Sequence, residues 1–502
     1  MGWLTSVALL SAATLSTATL STATLTVTGT APATEAAVPQ SALTAQTWTK
    51  ISADIDLGFA SAGLFRTSDG RLHVLWPSKD VGKKNTTYSL HYSTVGGREK
   101  LLATGTLEKG WGAIMQFPGL VAGPGGGLRA IFSGSNGQVN SPYNTGVIFN
   151  ATSGPAGTSW TLGSGSLSHS EFVSLTNDAA ATEGNGTPVA AWAGTTKLNY
   201  HAGIDPTIPS MNPDLVVSGK STTGIGDPTL VRTKSGGILA GWFNSSGTAT
   251  EGYWVDQIEP SQGTPVKAPD SGGASQNNGQ PFEPVALASR AGGGQYLAYC
   301  VATKVLHCGH IALWRVGAAK ALTVPGSASG KANFVAIAAA PGGHLWIAWF
   351  DNGTNKVSVV RTNAAATGFG PVLTFAPPSK LFTFDGLQAE GSTGPVDLIA
   401  LEQQATANSS PAYFDTQVLP ALRIKASKSS VSNAKSTTIT FSVTDTGDAV
   451  SGVTVKFLGA SATTNAKGQA KFTIKKGTSK GNHAAAATKT GYSPASFTVK
   501  VT

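Results

Sequence analysis

The chain has 502 residues, 61 of them glycine, only 12% charged side chains and a formal net charge of +9 at pH 7. That length exceeds what one small core can organise, and abundant Gly, Ser, Thr, Val and Ala without a sustained helical period exclude a helical protein. The composition predicts an all-β chain of short strands joined by many turns.

The first segment, MGWLTSVALLSAATLSTATLSTATLTVTGTAPATEA, has no acidic residue before Glu35 and no Lys or Arg before Lys50. Its apolar, small-residue character and the A-x-A site at Ala31 to Ala33 predict a secretory signal peptide over residues 1–33 and a linker over 34–44, hence a secreted or cell-surface protein. It departs from the usual signal in lacking a basic start. Thr and Ser interrupt its apolar run, and no later segment approaches the roughly 20 apolar residues of a stable membrane span. MGWLTS also fits the loose myristoylation pattern, which in a chain with a secretory signal is read as a chance match.

From residue 45 a unit repeats. GLFRTSDGRLHVLW (Gly63 to Trp76) is an apolar strand, a Gly-containing turn and a second apolar strand ending in an aromatic residue. LVAGPGGGLRAIF, SLTNDAAATEGNGTPVAAW, LVRTKSGGILAGW, VALASRAGGGQYLAYC, VAIAAAPGGHLWIAW and LQAEGSTGPVDLIAL follow the same plan. The first core positions after the turns, Leu72, Leu128, Pro188, Ile238, Tyr296, Leu345 and Val396, are separated by 56, 60, 50, 58, 49 and 51 residues. That is the size of a four-stranded propeller blade, and seven anchors predict a seven-bladed β-propeller over 45–419. Third strands are expected in YSLHYSTV, GVIFNAT, KLNYHAGI, EGYWVDQI, HIALWRV, KVSVVRT and AYFDTQVL, with Trp111 and Trp160 opening fourth strands. The last blade has no fourth strand of its own, and QTWTKISADI is expected to supply it, with Trp48 matching Trp111 and Trp160.

The only cysteines, Cys300 and Cys308, lie in two strand-like runs around a turn near Thr303 and Lys304, and an even pair in an exported chain suggests a disulfide across that hairpin. A Cys/His metal site with His307 and His310 is the competing reading. It is disfavoured because alternate strand residues point to opposite faces and the spacing is unlike that of zinc sites. No metal or cofactor is expected. His73 and His344 follow turns and are read as outward-facing strand residues, and the sequons at Asn85, Asn150, Asn244, Asn352 and Asn408 as polar loops.

Beyond Pro420 the composition changes. Residues 421–502 hold Arg423 and eleven lysines against Asp445 and Asp448, a balance of +10, so with the whole chain at +9 the remainder stands at −1. Strands are expected in STTITFSVTD, GVTVKFLG, GQAKFTIKK, HAAAATKTGY and ASFTVKVT. This segment, with its G-V-x-V, T-x-A-x-G-x-A and A-T-K-x-G-Y-x-x-A pieces, resembles the Ig-like modules of exported bacterial proteins. The resemblance implies a β-sandwich over 420–502 that spaces, adheres or binds glycan. Its basic surface could meet an anionic polymer, or its lysines could simply keep a sandwich soluble. Aromatic residues are not interleaved with the charge, which argues against nucleic acid.

Within the propeller, first-strand starts from different blades are expected to converge on one channel mouth. Eleven residues before the anchors stand Ser61, Phe117, Asp227, Phe334 and Asp385, and matching strand text in the two longer repeats adds Phe172 and Glu283, with Glu171 beside Phe172. Aromatic faces there could stack on sugars. Asp227, Glu283 and Asp385 are the candidate catalytic carboxylates, since two carboxylates in different environments can act as acid and base or nucleophile on a glycosidic bond. The bland alternative is polar strand starts facing channel water and phenylalanines that plug the channel.

The repeats resemble the sialidase-like propeller superfamily, in which an apolar first strand runs into a D-G turn and then L-x-x-x-W/F. Catalytic members carry Arg-Ile-Pro at the start of the first strand, further arginines clamping a carboxylate, a Tyr/Glu pair and Ser-x-Asp-x-Gly-x-x-Trp boxes. Here Arg66 precedes Thr67 at the turn end of its strand, no full box occurs, and Arg129, Arg290, Arg315 and Arg361 are scattered. An arginine clamp needs convergent bidentate geometry. The expectation is a secreted binding or adhesion protein recognising glycan or cell-envelope polymer at the channel mouth. A glycoside hydrolase propeller is the alternative, and a structural surface protein the third reading.

Overall fold

The computed structural model describes residues 47–53, 55, 61–80, 87–96, 100–101, 111–114, 118–136, 147–162, 179–183, 188–193, 198–201, 215–217, 225–244, 250–272, 284–304, 307–378, 381–404 and 410–502. The signal peptide and linker expected over 1–44 lie outside them, as do Asn85 and Asn408. Among the described residues no helix is long and apolar enough to cross a membrane.

Each repeat hairpin forms an antiparallel pair that continues into a sheet, numbered here in chain order. Sheet 1 is Gly63–Arg66, Leu72–Asp80, Thr87–Thr94 and Lys100–Leu101. In sheet 2, Leu128–Asn136 pairs with both Trp111–Ile114 and Gly119–Ala122, followed by Val147–Ser153 and Trp160–Leu162. Sheet 3 is Ala179–Glu183, Pro188–Ala193, Leu198–His201 and Leu215–Val217; sheet 4 is Ile225–Arg232, Ile238–Asn244, Gly252–Glu259 and Val266–Lys267. Sheet 5 is Leu287–Ser289, Gln295–Lys304, His307–Arg315 and Leu322–Thr323; sheet 6 is Ala332–Ala339, Leu345–Asp351, Lys356–Arg361 and Leu373–Phe375. Sheet 7 joins Leu381–Glu390, Val396–Gln404 and Ala412–Val418 to Thr49–Lys50 from the other end of the chain, with Thr49 opposite Asp415 and Lys50 opposite Phe414. First strands of successive sheets touch, and that of sheet 7 touches that of sheet 1, which makes a closed, propeller-like ring.

Trp160 opens a fourth strand as its spacing suggested, and Trp48 precedes one. Trp111 does not: its strand pairs with Leu128–Asn136 and so starts the first strand of sheet 2, while Lys100–Leu101 is the outer strand of sheet 1. The aromatic match was to a strand start, which inner and outer strands share.

The hairpin turns explain the repeated glycine. Thr67 N–H donates to Arg71 O (3.0 Å) and Gly70 N–H to Thr67 O (2.9 Å), while in sheet 4 Thr233 and Gly236 repeat the pattern at 2.7 and 3.0 Å. Gly70 and Gly236 sit at φ 87° and 90°, a left-handed conformation that costs glycine little.

Packing follows from strand periodicity. Leu345, Ile347 and Trp349 join the core shared with sheet 5, while Trp346, Ala348 and Phe350 join the core shared with sheet 7. Both faces of a middle strand are therefore buried, which is why LWIAWFD and ILAGWFN read as unbroken apolar runs instead of alternating ones. The same burial overturns two expectations. His73 and His344 are buried, not outward: His73 Nδ1 meets Tyr92 Oη at 2.5 Å and its Nε2 meets Thr67 Oγ1 at 3.0 Å, while His344 Nδ1 donates to Thr362 O at 2.7 Å. Burial lowers the pKa of both imidazoles. Asn150 and Asn244 are strand residues buried in the fold, not loop positions open to glycan attachment.

Cys300 and Cys308 form a disulfide between the second and third strands of sheet 5, with Cα atoms 5.4 Å apart. The enclosed loop is short, so the bridge contributes about 2 to 3 kcal/mol.

After Pro420 two sheets share one apolar core. Arg423–Ala426, Thr437–Asp445 and Gln469–Ile474 form one, with Asp448–Ala449 at the end of the long strand. Ser430–Val431, Ala495–Val501, Gly481–Thr488, Thr454–Phe457 and Ala460–Thr463 form the other. Ile439, Phe441, Val443, Phe457, Phe472 and Val499 fill the space between them. This module is seated on sheet 6. Arg361, buried beside Trp346, donates through Nη1 to Asp445 Oδ2, Asp448 Oδ2 accepts from Ala364 N–H at 2.6 Å, and Thr446 Oγ1 donates to Thr362 O at 3.1 Å. Removing one partner of a buried ion pair leaves the other uncompensated, at a cost of about 3 to 5 kcal/mol. Arg361→Ala is therefore expected to loosen the module from sheet 6 and split the calorimetric unfolding transition in two, with the module melting separately.

Candidate functional site

The ring position named from sequence coincides with a break in strand register in three sheets. In sheet 4, Gly226 pairs with Phe243 and Thr229 with Gly241, so Asp227 and Pro228 oppose the single residue Trp242. In sheet 6, Asn333 pairs with Phe350 and Ala336 with Ala348, so Phe334 and Val335 oppose Trp349. In sheet 7, Phe384 pairs with Glu402 and Gly386 with Leu401, which leaves Asp385 as the extra residue between them. A bulge bends a strand and re-aims the inserted side chain, and Pro228, which lacks an N–H, suits such a break. Phe117, Glu171, Phe172 and Glu283 lie outside the described residues, and of Asp227 only the backbone is described.

Phe334 and Asp385 differ in what surrounds them. Phe334, at φ 53°, is buried between sheets 6 and 7 with its ring 5.6 Å from that of Phe384, which in turn stacks on Phe350 at 4.2 Å. Its ring is part of the inter-sheet core, with no open face for a sugar. Asp385 is also buried, and its Oδ2 accepts a hydrogen bond from Thr383 Oγ1 at 3.0 Å. Burial pushes its carboxyl above the ordinary value, with the Thr383 bond opposing. Thr383 Oγ1 also reaches Gln403 Oε1 at 3.4 Å. A carboxyl raised in this way holds its proton more readily than an exposed one, which suits hydrogen bonding to a polyol and equally a general acid. Ser61, the equivalent in sheet 1, is buried.

Arg66 has a different task. Its Nε and Nη2 donate to Glu390 and Asp397 of sheet 7, and its Nη1 to Gly70 O at 2.7 Å. Ala62 N–H donates to Gln388 Oε1 at 3.0 Å across the same seam. Asp397 Oδ1 also accepts from Gln417 Nε2 at 3.1 Å. Asp415 stands nearby on the third strand of sheet 7, buried, with no hydrogen-bond partner for its Oδ1 among the described residues. Burial and then the Asp397 charge push its carboxyl up to about 7, while Arg66 pulls the other way. Burial also raises Asp397, against Arg66 and Gln417. The guanidinium is thus committed to holding sheet 1 on sheet 7. By contrast the Arg71–Asp69 pair, 3.1 Å apart, is exposed and screened by solvent, so it contributes little to holding the ring.

Of the acids at this seam, Glu390 ends the first strand of sheet 7 while Asp397 and Asp415 stand on its second and third strands, all outside the strand-start positions that the repeat picks out. Their signal was present in VDLIALEQQ and AYFDTQV, where Asp397, Glu402 and Asp415 interrupt apolar strands; all three are buried. Among the described residues no cluster of three His, Cys, Asp or Glu side chains is arranged to hold a metal ion.

No protein-family model matches the chain, and no curated protein matches it in sequence. Among solved structures it is similar to an α-L-arabinofuranosidase from Fusarium graminearum in complex with an iminosugar inhibitor, at 13% identity and a TM-score of 0.41, covering 75% of this chain and 97% of that one. It is also similar to an exo-β-1,3-galactanase from Phanerochaete chrysosporium, at 11% identity and a TM-score of 0.35, covering 91% and 99% of the two chains. A Hadza microbial sialidase matches at 10% identity and a TM-score of 0.39, covering 72% and 66%.

Two outcomes follow at the seam. Arg66→Met leaves Glu390 and Asp397 facing each other unpaired, and denaturant titration is expected to show a loss of about 3 to 5 kcal/mol. For Asp415, the native carboxyl keeps its proton up to about pH 7 while the unfolded chain releases it near 3.8. The native state therefore binds more protons in that window, so this group's contribution falls as pH rises from about 4 to 7 and stays low above. Asp415→Asn is expected to raise the melting temperature relative to the parent by an increment that grows between pH 5 and pH 8; an increment independent of pH would contradict the assignment.

Proposed function

We propose that the chain is a seven-bladed β-propeller over residues 45–419 with an Ig-like sandwich over 420–502, exported by a signal peptide at 1–33. In this reading it is a secreted or surface-associated binding protein that takes a glycan or cell-envelope polymer at the propeller mouth. The observation that supports this is that Asp227 and Asp385 each stand at a break in first-strand register, Asp227 opposite Trp242 in sheet 4 and Asp385 between the partners of Leu401 and Glu402 in sheet 7. Asp385, held near Thr383 and Gln403, offers the mixed donor and acceptor set that sugar hydroxyls need. Glu283 belongs to the same ring by sequence and is kept in the proposed site, with Phe117, Glu171 and Phe172 as its proposed neighbours.

The commitment of Arg66 to Glu390 and Asp397 favours this over a sialidase-type clamp, which needs guanidinium groups free to meet a substrate carboxylate. Hydrolysis of a glycoside is the second reading, favoured by the raised carboxyl of Asp385, which could serve as an acid. A glycan array together with a panel of chromogenic glycosides separates the two. Binding without turnover, weakened about tenfold or more by Asp385→Asn, is the expected outcome. Turnover abolished by Asp227→Asn, Glu283→Gln or Asp385→Asn would instead make the protein a glycosidase.

A further inference from the structure

The C-terminal module separates its charges by position. Its two acids are both engaged at the foot, Asp445 with Arg361 and Asp448 with the Ala364 amide. The strand Thr437–Asp445 leads away from that foot, and eight residue steps at the usual strand rise carry it roughly 27 Å. At its far end Thr437 pairs with Ile474, and the turn beyond Ile474 folds back so that Lys476 N–H donates to Ser436 Oγ at 3.2 Å. Asn433 ties both sheets together there: its N–H donates to Thr502 O, its carbonyl accepts from Gly477 N–H, each at 2.9 Å, and its Nδ2 donates to Thr478 O at 3.2 Å. Gly481 pairs with Val501 at the same end. Lys435, Lys475, Lys476, Lys480 and Lys500 therefore gather on one hydrogen-bonded tip. All five are exposed, and none has an ion-pair partner among the described residues.

We propose that this tip is a docking surface for a linear acidic polysaccharide, with the seating of Asp445 and Asp448 on sheet 6 holding it outward from the propeller. The chemistry of the tip selects that occupant. Lysines are mobile point charges, suited to anionic groups recurring along a chain, whereas recognition of one planar carboxylate or phosphate favours the arginine fork. The module's phenylalanines 441, 457 and 472 are in its core and Tyr492 and Phe497 pack against that core, so no aromatic platform stands among the lysines for a nucleobase. Nor is there an apolar wedge for a bilayer, since the one large exposed apolar side chain of the module, Leu458, lies in the hairpin joining Thr454–Phe457 to Ala460–Thr463. The surface is distinct from the propeller mouth and does not depend on what that mouth binds.

The test uses the full chain and immobilised polygalacturonate, with neutral arabinan, phosphatidylglycerol vesicles and duplex DNA as parallel arms. Binding at about 50 mM salt is expected for polygalacturonate, falling steeply with salt because such contacts are screened. Replacing Lys475, Lys476 and Lys480 by Gln should weaken it at least about tenfold and lower the log–log salt slope by about 2, at roughly 0.7 per charge removed from a single-stranded polyanion contact. Replacing Lys456, Lys467 and Lys471 by Gln removes the same charge elsewhere on the module and should change binding less than about twofold. Asp385→Asn should leave polygalacturonate binding intact, which distinguishes this surface from the propeller mouth. Absence of binding, equal loss in both lysine variants, or tighter retention by vesicles or DNA would overturn the proposal.

Discussion

The ring depends on one feature of strand geometry: successive side chains leave opposite faces of a sheet, and in this protein each face belongs to a different core. Leu345, Ile347 and Trp349 pack against sheet 5 while Trp346, Ala348 and Phe350 pack against sheet 7. Likewise Leu239 and Phe243 serve the core with sheet 5 while Ile238, Ala240 and Trp242 serve the core with sheet 3. These middle strands have no private core. Displacing a strand by one residue would exchange its two sets of side chains and disturb both neighbouring interfaces at once, so register is specified twice over.

A cycle of this kind must close, and closure is where apolar packing is supplemented by charge. Ile399, Leu401 and Tyr413 of sheet 7 pack on Leu72, Val74 and Trp76 of sheet 1, which is the ordinary interface. Thr49–Lys50 adds only two residues of pairing to cover the outer edge of sheet 7, too little ladder to fix a position alone. Arg66 reaches across to two carboxylates of sheet 7 while a third hydrogen bond, to Gly70 O, anchors it to its own turn. Charge-assisted bonds of fixed geometry discriminate between positions in a way that sliding apolar surfaces do not. The same device recurs where the C-terminal module meets sheet 6, with Arg361 and Asp445.

The repeat and the strands it implies were legible in the sequence because each strand pair carries its own turn chemistry, as Gly70 and Gly236 show. Trp48 at the closing strand and the Cys300–Cys308 bridge were legible for the same local reasons. The burial of His73, His344 and Asn150 was not, because alternation reveals which residues share a face but not that a second sheet covers the other one. The candidate site was legible in part: spacing picked out Asp227, Phe334 and Asp385, but could not tell that Phe334 turns into the core while Asp385 bonds to Thr383. Arg66 illustrates the limit best. Its partners Glu390 and Asp397 stand 324 and 331 residues away, and only closure of the ring brings them together.

The arrangement of acids in sheet 7 bears on what the closing seam can tolerate. Asp385, Asp397, Glu402 and Asp415 are all buried within this one sheet, where the middle strand of sheet 6 holds mostly apolar side chains. A buried carboxylate is costly unless paired or protonated. Asp397 is paired with Arg66, whereas Asp415, beside the negative charge of Asp397, meets the same constraint by keeping its proton. One cation cannot satisfy several anions in a dry interface, so protonation state and ring closure are linked through the same few atoms. The seam is therefore best matched to its partners when Asp415 is neutral, and raising the pH asks the junction where the ring closes to hold an additional charge that Arg66 is already too committed to balance.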